Sequence, residues 1–196
     1  MSINKAKLRI FVFGILFRMF FEVANGKYPI GYDTNTYYVI KCLRKNWIGE
    51  LGYGPVYQYI LFLLSSAIGD ILLAIKILAC IISGIFCLSL FLWCKSLGLS
   101  DKDALRAVVL IYLYFSVLRM MWDLHRNVLA LSIALIAISL REKRPRTACI
   151  LAFVSGLTHP LTFFVFLACL VRSIFRVANR VELAMFAFNA TSVGLI

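Results

Sequence analysis

Two carboxylates stand where an acid could take part in chemistry. Asp33 lies in Gly31-Tyr32-Asp33-Thr34, directly before a segment with an amphipathic helical pattern, and Asp123 lies in a short polar stretch between two apolar segments. A carboxylate in such a place can accept the proton of a hydroxyl group or hold a cation. Asp33 also suits the N-cap of the following helix, and the sequence leaves both interpretations open.

Five basic or titratable side chains accompany these acids and could neutralise a phosphate group. They are Lys76, Arg119, His125, Arg126 and His159. Several of them also have a structural interpretation. Arg126 has the i, i+3 spacing of an ion pair with Asp123. His159 precedes a proline and suits a turn, and Lys76 can extend its ammonium group to a membrane surface.

Other chemistries find no motif in this chain. The patterns GxxxxGK[ST], GxGxxG, HExxH and CxxC are absent, so nucleotide-dependent, zinc-protease and redox functions lack support. Cys80, Cys87 and Cys94 recur at a spacing of seven, which is about 10.5 Å of helix and too long for ligands of one tetrahedral metal. We therefore interpret the cysteines as small packing residues.

The composition defines the elements that must position these residues. Of 196 residues, 62% are apolar or aromatic and 15% are charged, against about 45–50% and about 25% in soluble domains. The mean hydropathy is +0.90. This excludes a soluble monomer and predicts an all-α, polytopic helical membrane protein. The net charge of +12 then concerns orientation in the membrane, and no nucleic-acid partner is expected.

The apolar segments predict about five full spans plus a short helical hairpin. Residues 8–24 form the first span, in which Arg18 and Glu22 lie one turn apart and can pair. Residues 25–70 form an outer loop with interfacial helices. The remaining segments are a span at 71–94, a span at 101–118, an outer loop at 119–127, a span at 128–140, a hairpin at 147–171 and a last, truncated span at 181–196.

The basic residues orient these segments. If residues 55–69 stay in the outer interface, ten basic residues up to residue 146 lie inside and six outside; if they cross, the numbers become five and eleven. The positive-inside rule favours the first arrangement, with a cytoplasmic N-terminus in the cell membrane. Polar groups from distant segments then converge on the outer side. They are Asp33, Glu50, Asp70, Lys76, Arg119, Asp123, His125, Arg126 and His159.

The order of these features resembles the membrane half of GT-C-fold glycosyltransferases, which use polyprenyl-phosphate-linked sugars. A first span is followed by the acid of Gly31-Tyr32-Asp33, an interfacial helix and a Gly54-Pro55-Val56-Tyr57 stretch. An inward span, an outward span and a second acidic loop come next. The Trp-Asp-Leu-His-Arg-Asn stretch at 122–127 and the Leu-Thr-His-Pro stretch at 157–160 look like those of archaeal-type members.

This resemblance implies transfer of a sugar from a polyprenyl-phosphate donor on the outer face of the membrane. Asp33 would be the catalytic base and Asp123 the second acid, while His125, Arg126 or His159 would neutralise the leaving phosphate. It leaves open whether a divalent cation takes part. The departures are Thr34-Asn35 after Asp33, where the family often has another acid, and the short chain.

Two other classes of function remain. The chain could be a non-catalytic membrane module that packs against a partner membrane subunit and contributes a lipid-binding groove. A transporter or channel subunit ranks last, because only Arg18 and Glu22 lie deep in a predicted span. The partners expected from the sequence are thus membrane lipids, a lipid-linked sugar and a partner subunit.

Overall fold

The structure, a computed structural model, describes residues 5–31, 55–159 and 162, without the side chains of residues 115, 116 and 123. These ranges contain seven helices and no strand, which confirms the all-α class for the part described. The helices are α1 (Lys5–Ala24), α2 (Pro55–Ile68), α3 (Ile71–Ser96), α4 (Asp101–Leu113), α5 (Phe115–Asp123), α6 (His125–Leu140) and α7 (Pro145–Thr158).

Helix α3 is the centre of the bundle and packs against α1, α2, α4 and α6, while α7 packs mainly on α6. The start of α3 is capped by Asp70, whose Oδ1 accepts hydrogen bonds from the backbone N–H groups of Leu72 and Leu73 at 2.8 and 3.2 Å. At its end Gly98 adopts a φ of +90°. The sequence therefore marks both ends of the central helix.

Helix α3 is also the only described helix that is long and apolar enough to cross a membrane, at 26 residues. Helices α2 and α6 are apolar but shorter, with 14 and 16 residues. One such helix is weak evidence for membrane association. The five-span arrangement and the cytoplasmic N-terminus remain predictions.

Small residues allow α1 and α3 to approach closely. A Cβ atom added to Gly14 would lie 2.7 Å from the backbone oxygen of Ser83, and one added to Gly84 would lie 2.8 Å from Cγ1 of Ile15. The Ser83 hydroxyl donates a hydrogen bond to the Gly14 carbonyl at 2.6 Å. Small residues and a serine hydroxyl at a helix crossing are typical of helix packing in membranes.

The predicted 101–118 helix is divided in two by Tyr114. Ser100 caps the start as expected, because its Oγ accepts a hydrogen bond from the N–H of Asp103 at 3.2 Å. However, α4 ends at Leu113 and Tyr114 is extended, with φ −64° and ψ 129°. Hydropathy could not reveal this break, because the sequence stays apolar through it. The aromatic residues around it have modest helix propensity.

The predicted outer loop at 119–127 is a second correction, because it is almost entirely helical. Residues 119–123 belong to α5, and α6 begins at His125, so Leu124 alone separates the two helices. Polarity suggested a loop, yet most of these residues are compatible with a helix when one face is buried. Since Asp123 and Arg126 belong to different helices, the i, i+3 helical spacing between them does not hold.

The hairpin prediction falls partly inside the described residues. Its first arm is α7, which has Pro145 at its first position and ends at Thr158. His159 follows with an extended backbone, as expected for a residue before proline. Of the second arm, the structure describes only Thr162. Three further predictions also fall outside the described residues, namely the last span at 181–196, Asp33 and Glu50.

Candidate functional site

A buried ion pair joins Arg18 and Glu22 near the end of α1. The Arg18 Nε donates to Glu22 Oε1 at 2.8 Å, and the two residues are only 1% and 2% exposed. Their i, i+4 spacing places them on the same face of the helix. Two charges removed from solvent in this way need further hydrogen bonds, and both residues have them.

Arg18 connects α1 to the junction of α5 and α6. Its Nη1 donates to the backbone carbonyl of Met121 at 3.1 Å, and its Nη2 lies 3.3 Å from Nε2 of His125. Met121 is in the last turn of α5, where carbonyl groups lack helical partners. One guanidinium group therefore binds the side chain of Glu22, the end of one helix and the start of the next.

His125 is held between Arg18 and Tyr57. A guanidinium has only donors, so Nε2 of His125 accepts and the ring proton belongs on Nδ1. Nδ1 lies 3.3 Å from the Tyr57 hydroxyl. His125 is 1% exposed and precedes the predicted span at 128–140. Burial, reinforced by the charge of Arg18, lowers the pKa of His125 to about 3, so its ring is neutral near pH 7.

The turn after α1 is tied to the same ion pair. Glu22 Oε2 accepts a hydrogen bond from the N–H of Ile30 at 3.2 Å. Lys76 of α3 donates to the carbonyl of Glu22 at 2.6 Å and also to the carbonyl of Gly26. A cation at the end of a helix interacts favourably with its dipole. Two carbonyl groups of this turn thus accept hydrogen bonds from the ammonium of Lys76.

Arg126 and His159 meet at the start of α6 and the end of α7. Burial, reinforced by the charge of Arg126, lowers the pKa of His159. His159 is 8% exposed, and its carbonyl accepts a hydrogen bond from the Thr162 hydroxyl at 2.7 Å. His159 therefore takes the turn position expected of it and still lies beside a cation.

The structure thus brings four of the seven predicted site residues to one end of the bundle. Lys76 donates a hydrogen bond to the Glu22 carbonyl, and His125 contacts Arg18 directly. Arg126 is the next residue after His125 in α6, and its charge acts on His159. Arg119 is on α5 and exposed, and Asp123 is the last residue of that helix. Asp33 lies outside the described residues, two positions beyond Gly31.

Sequence analysis missed Tyr57 and Gln58 of α2. Tyr57 contacts His125, and both residues are buried, at 0% and 7% exposure. Neither polar atom of the Gln58 amide has a hydrogen-bond partner within the described structure. The signal was present in the sequence, because a tyrosine and a glutamine side by side are unusual in an apolar segment.

This arrangement offers fixed donors and a neutral imidazole. Arg18, His125 and Tyr57 contact one another and fix the end of α1 against α2 and α6, and the positive charge of the neighbouring, partly exposed Arg126 can attract an anion. Among the described residues, no three His, Cys, Asp or Glu side chains are grouped to hold a metal ion. The chemistry available from these residues is therefore hydrogen bonding and charge.

Comparisons with known proteins add no relative. No family model matches the chain, no curated protein matches it, and no solved structure matches it.

Proposed function

We propose that this chain is a GT-C-like membrane glycosyltransferase, or the N-terminal membrane module of one. It would transfer a sugar from a polyprenyl-phosphate donor to an acceptor on the outer face of the membrane. Asp33 would accept the proton of the acceptor hydroxyl, and Asp123 would be the second acid. A multi-pass topology with a cytoplasmic N-terminus belongs to this proposal, as does the open question of a divalent cation.

The observation that carries the proposal is the grouping of polar residues at one end of the bundle. Arg18, Tyr57 and the consecutive residues His125 and Arg126 come from three parts of the chain and lie together where α1 ends and α6 begins. The turn that leads toward Asp33 is bound to this group through Glu22 and Ile30. Cations grouped at this end of the bundle suit a reaction with a phosphate leaving group.

The surface supports a membrane setting for this site. Large apolar side chains of α1 are exposed, with Leu16 at 52%, Phe20 at 68% and Val23 at 72%. Patches of this kind are rare on soluble monomers and mark contact with lipid or another protein. A donor carried by a polyprenyl chain would approach from such a surrounding.

Transfer can be tested with the full chain in liposomes that contain polyprenyl-phosphate sugars and a membrane-derived acceptor fraction. Asp33→Asn should abolish transfer while expression and melting temperature stay normal. Glu142→Gln is the matched control, because this acid is exposed at the opposite end of α6 and should leave transfer unchanged. Unchanged transfer in Asp33→Asn would contradict the role of Asp33.

The orientation can be tested in intact cells with a membrane-impermeant thiol reagent. Cys42 should be labelled from outside, and a Lys143→Cys variant should be labelled only after the cells are opened. Labelling at position 143 without labelling at Cys42 in intact cells would overturn the proposed topology.

A non-catalytic module is the second candidate function, and specific contacts favour it. Lys76 already binds two backbone carbonyls, and His125 already binds Arg18. An apolar groove of about 510 Å³ also runs between α2, α3 and α6, lined in part by Leu63, Ile81 and Leu129. This candidate predicts co-purification with a larger membrane subunit and tolerance of Asp33→Asn and Asp123→Asn.

A further inference from the structure

A second cavity lies at the opposite end of the bundle from the polar group described above. Its volume is about 630 Å³, and it opens where the start of α1 meets the ends of α3 and α6. Its lining combines apolar and charged side chains. The apolar residues include Phe91, Trp93 and Leu97, and the charged residues are Lys7, Lys95, Arg141, Glu142 and Lys143.

Two of the four cations are available to a ligand. Lys95 binds Asp101 at 2.7 Å and also donates to the Leu99 carbonyl at 2.8 Å, and Arg141 lies 3.6 Å from Glu142. Lys7 and Lys143 are exposed. Within the described ranges, neither has a carboxylate partner.

The helix dipole explains some of these cations but not Lys7. Lys95, Arg141 and Lys143 lie at or just beyond the C-terminal ends of α3 and α6, where positive charge is favoured. Lys7 is the third residue of α1, where the dipole disfavours a cation. The first turn of α1 contains no acidic residue to offset it. An anion in the cavity would stabilise Lys7 and would also pair with Lys143.

The position of the cavity indicates where such an anion would come from. The cavity adjoins the last turn of α3, the described helix that can cross a membrane. Trp93 is near that end, and tryptophan is common at the level of lipid headgroups. Basic pockets between membrane helices bind anionic headgroups, and apolar walls suit the glycerol and the start of the acyl chains.

We propose that this cavity binds an anionic phospholipid. The headgroup phosphate contacts Lys7 and Lys143, and the upper part of the lipid packs against Trp93 and Leu97. This site is separate from the Arg18–His125 end of the bundle and does not depend on glycosyl transfer. The ligand also contributes to holding α1 against α3 and α6, because it touches all three.

The test uses the full chain in a neutral detergent and native mass spectrometry. Phosphatidylglycerol is the anionic probe, and phosphatidylcholine is the zwitterionic comparison. The double variant Lys7→Gln/Lys143→Gln should bind phosphatidylglycerol about tenfold or more weakly, as the loss of two lysine–headgroup interactions implies. The matched control is Lys102→Gln/Arg106→Gln, which removes the same charge from α4 outside the cavity and should change binding less than about twofold.

Two results would overturn the lipid site. One is equal binding of phosphatidylglycerol and phosphatidylcholine, and the other is an equal loss of binding in the cavity variant and the control. Inorganic phosphate serves as the free-anion probe. If millimolar phosphate displaces phosphatidylglycerol, the site recognises a free anion and the proposal fails. In neutral detergent without added phosphatidylglycerol, melting curves of both variants should coincide with that of the parent, because all four substituted residues are exposed.

Discussion

The guanidinium of Arg18 lies 3.3 Å from the imidazole of His125, although 107 residues separate them in the chain. Arg18 also holds the Met121 carbonyl and the Glu22 carboxylate. One side chain thus fixes the end of α1 against the α5–α6 junction. The candidate site is assembled by this contact rather than by proximity in sequence.

Replacement of Arg18 alone should be severe. Arg18→Met leaves Glu22 charged and buried without its partner, which typically costs about 3–5 kcal/mol. For a chain of this size, the apparent melting temperature in detergent should fall by about 10 °C. The double variant Arg18→Met/Glu22→Met removes both charges and should recover more than half of that loss. A double variant as unstable as the single one would show that the charge of Glu22 is not the cause.

The contact between α1 and α3 should be intolerant of even one methyl group. Gly14→Ala places a Cβ 2.7 Å from the Ser83 backbone oxygen, so the helices must separate and the Ser83–Gly14 hydrogen bond weakens. We expect a loss of about 1–3 kcal/mol in the free energy of unfolding. Val12→Leu enlarges a side chain that is 38% exposed on α1 and is the control. Equal melting temperatures for the two variants would contradict the close packing.

Stability should fall as the pH drops below about 6.5. The pKa of His125 is about 3 in the folded chain and 6.5 as its ordinary value, so the unfolded chain binds a proton first. The stability contributed by neutral His125 is therefore complete above pH 6.5 and declines toward pH 3. Linkage gives a loss of about 2 kcal/mol by pH 5.

His125→Gln separates this effect from others, because glutamine can accept the Arg18 hydrogen bond without titrating in this range. Thermal unfolding from pH 7.5 to 5 should have a smaller pH dependence in this variant. The pKa of His159 is lowered as well. His159→Gln therefore removes the contribution of His159 to the pH dependence of stability, and it serves as the comparison variant. The same pH dependence in the parent and in His125→Gln would exclude His125 as the source.

Replacement of Gln58 by an apolar residue of similar volume, unlike the replacements above, should not lower the free energy of unfolding. The Gln58 amide is buried and has no hydrogen-bond partner within the described residues, so removing its polarity should not harm the fold. Gln58→Met, which keeps the volume, should leave the free energy of unfolding unchanged or raise it by about 1 kcal/mol. Gln58→Ala is the control for lost volume and should be destabilised. A fall of more than about 1 kcal/mol in the Met variant would indicate a missing partner.

Local signals in the sequence anticipated several elements. Ser100 predicted the start of α4 and Gly98 the end of α3, because capping depends on a few adjacent residues. The spacing of Arg18 and Glu22 predicted their pairing for the same reason. The break at Tyr114 and the helical course of residues 119–123 were not anticipated, because they depend on which face becomes buried in the assembled bundle.

The sequence identified most of the polar residues of the candidate site, but not the contacts of Arg18 and Tyr57 with His125 that join them. Polarity selected Lys76, His125, Arg126 and His159, which the structure gathers at one end of the bundle. Arg18 was interpreted as half of a local pair, and Tyr57 was not selected. Contacts such as Arg18 to His125 and Tyr57 to His125 join distant segments, and neither hydropathy nor motif spacing contains that information.

Helix α5 has a mechanical property that follows from its two ends. Tyr114 and Leu124 each interrupt the helical backbone for a single residue. Helix α5 is therefore a short helical segment between two single-residue breaks. Across the second break, the Leu124 N–H still donates to the Met120 carbonyl at 2.9 Å. The Arg18 hydrogen bond to Met121 and the burial of Met121 oppose rotation of α5. The carbonyl that Arg18 of α1 binds is thus two residues before Asp123, so an arginine on another helix holds the helical turn that carries this acid.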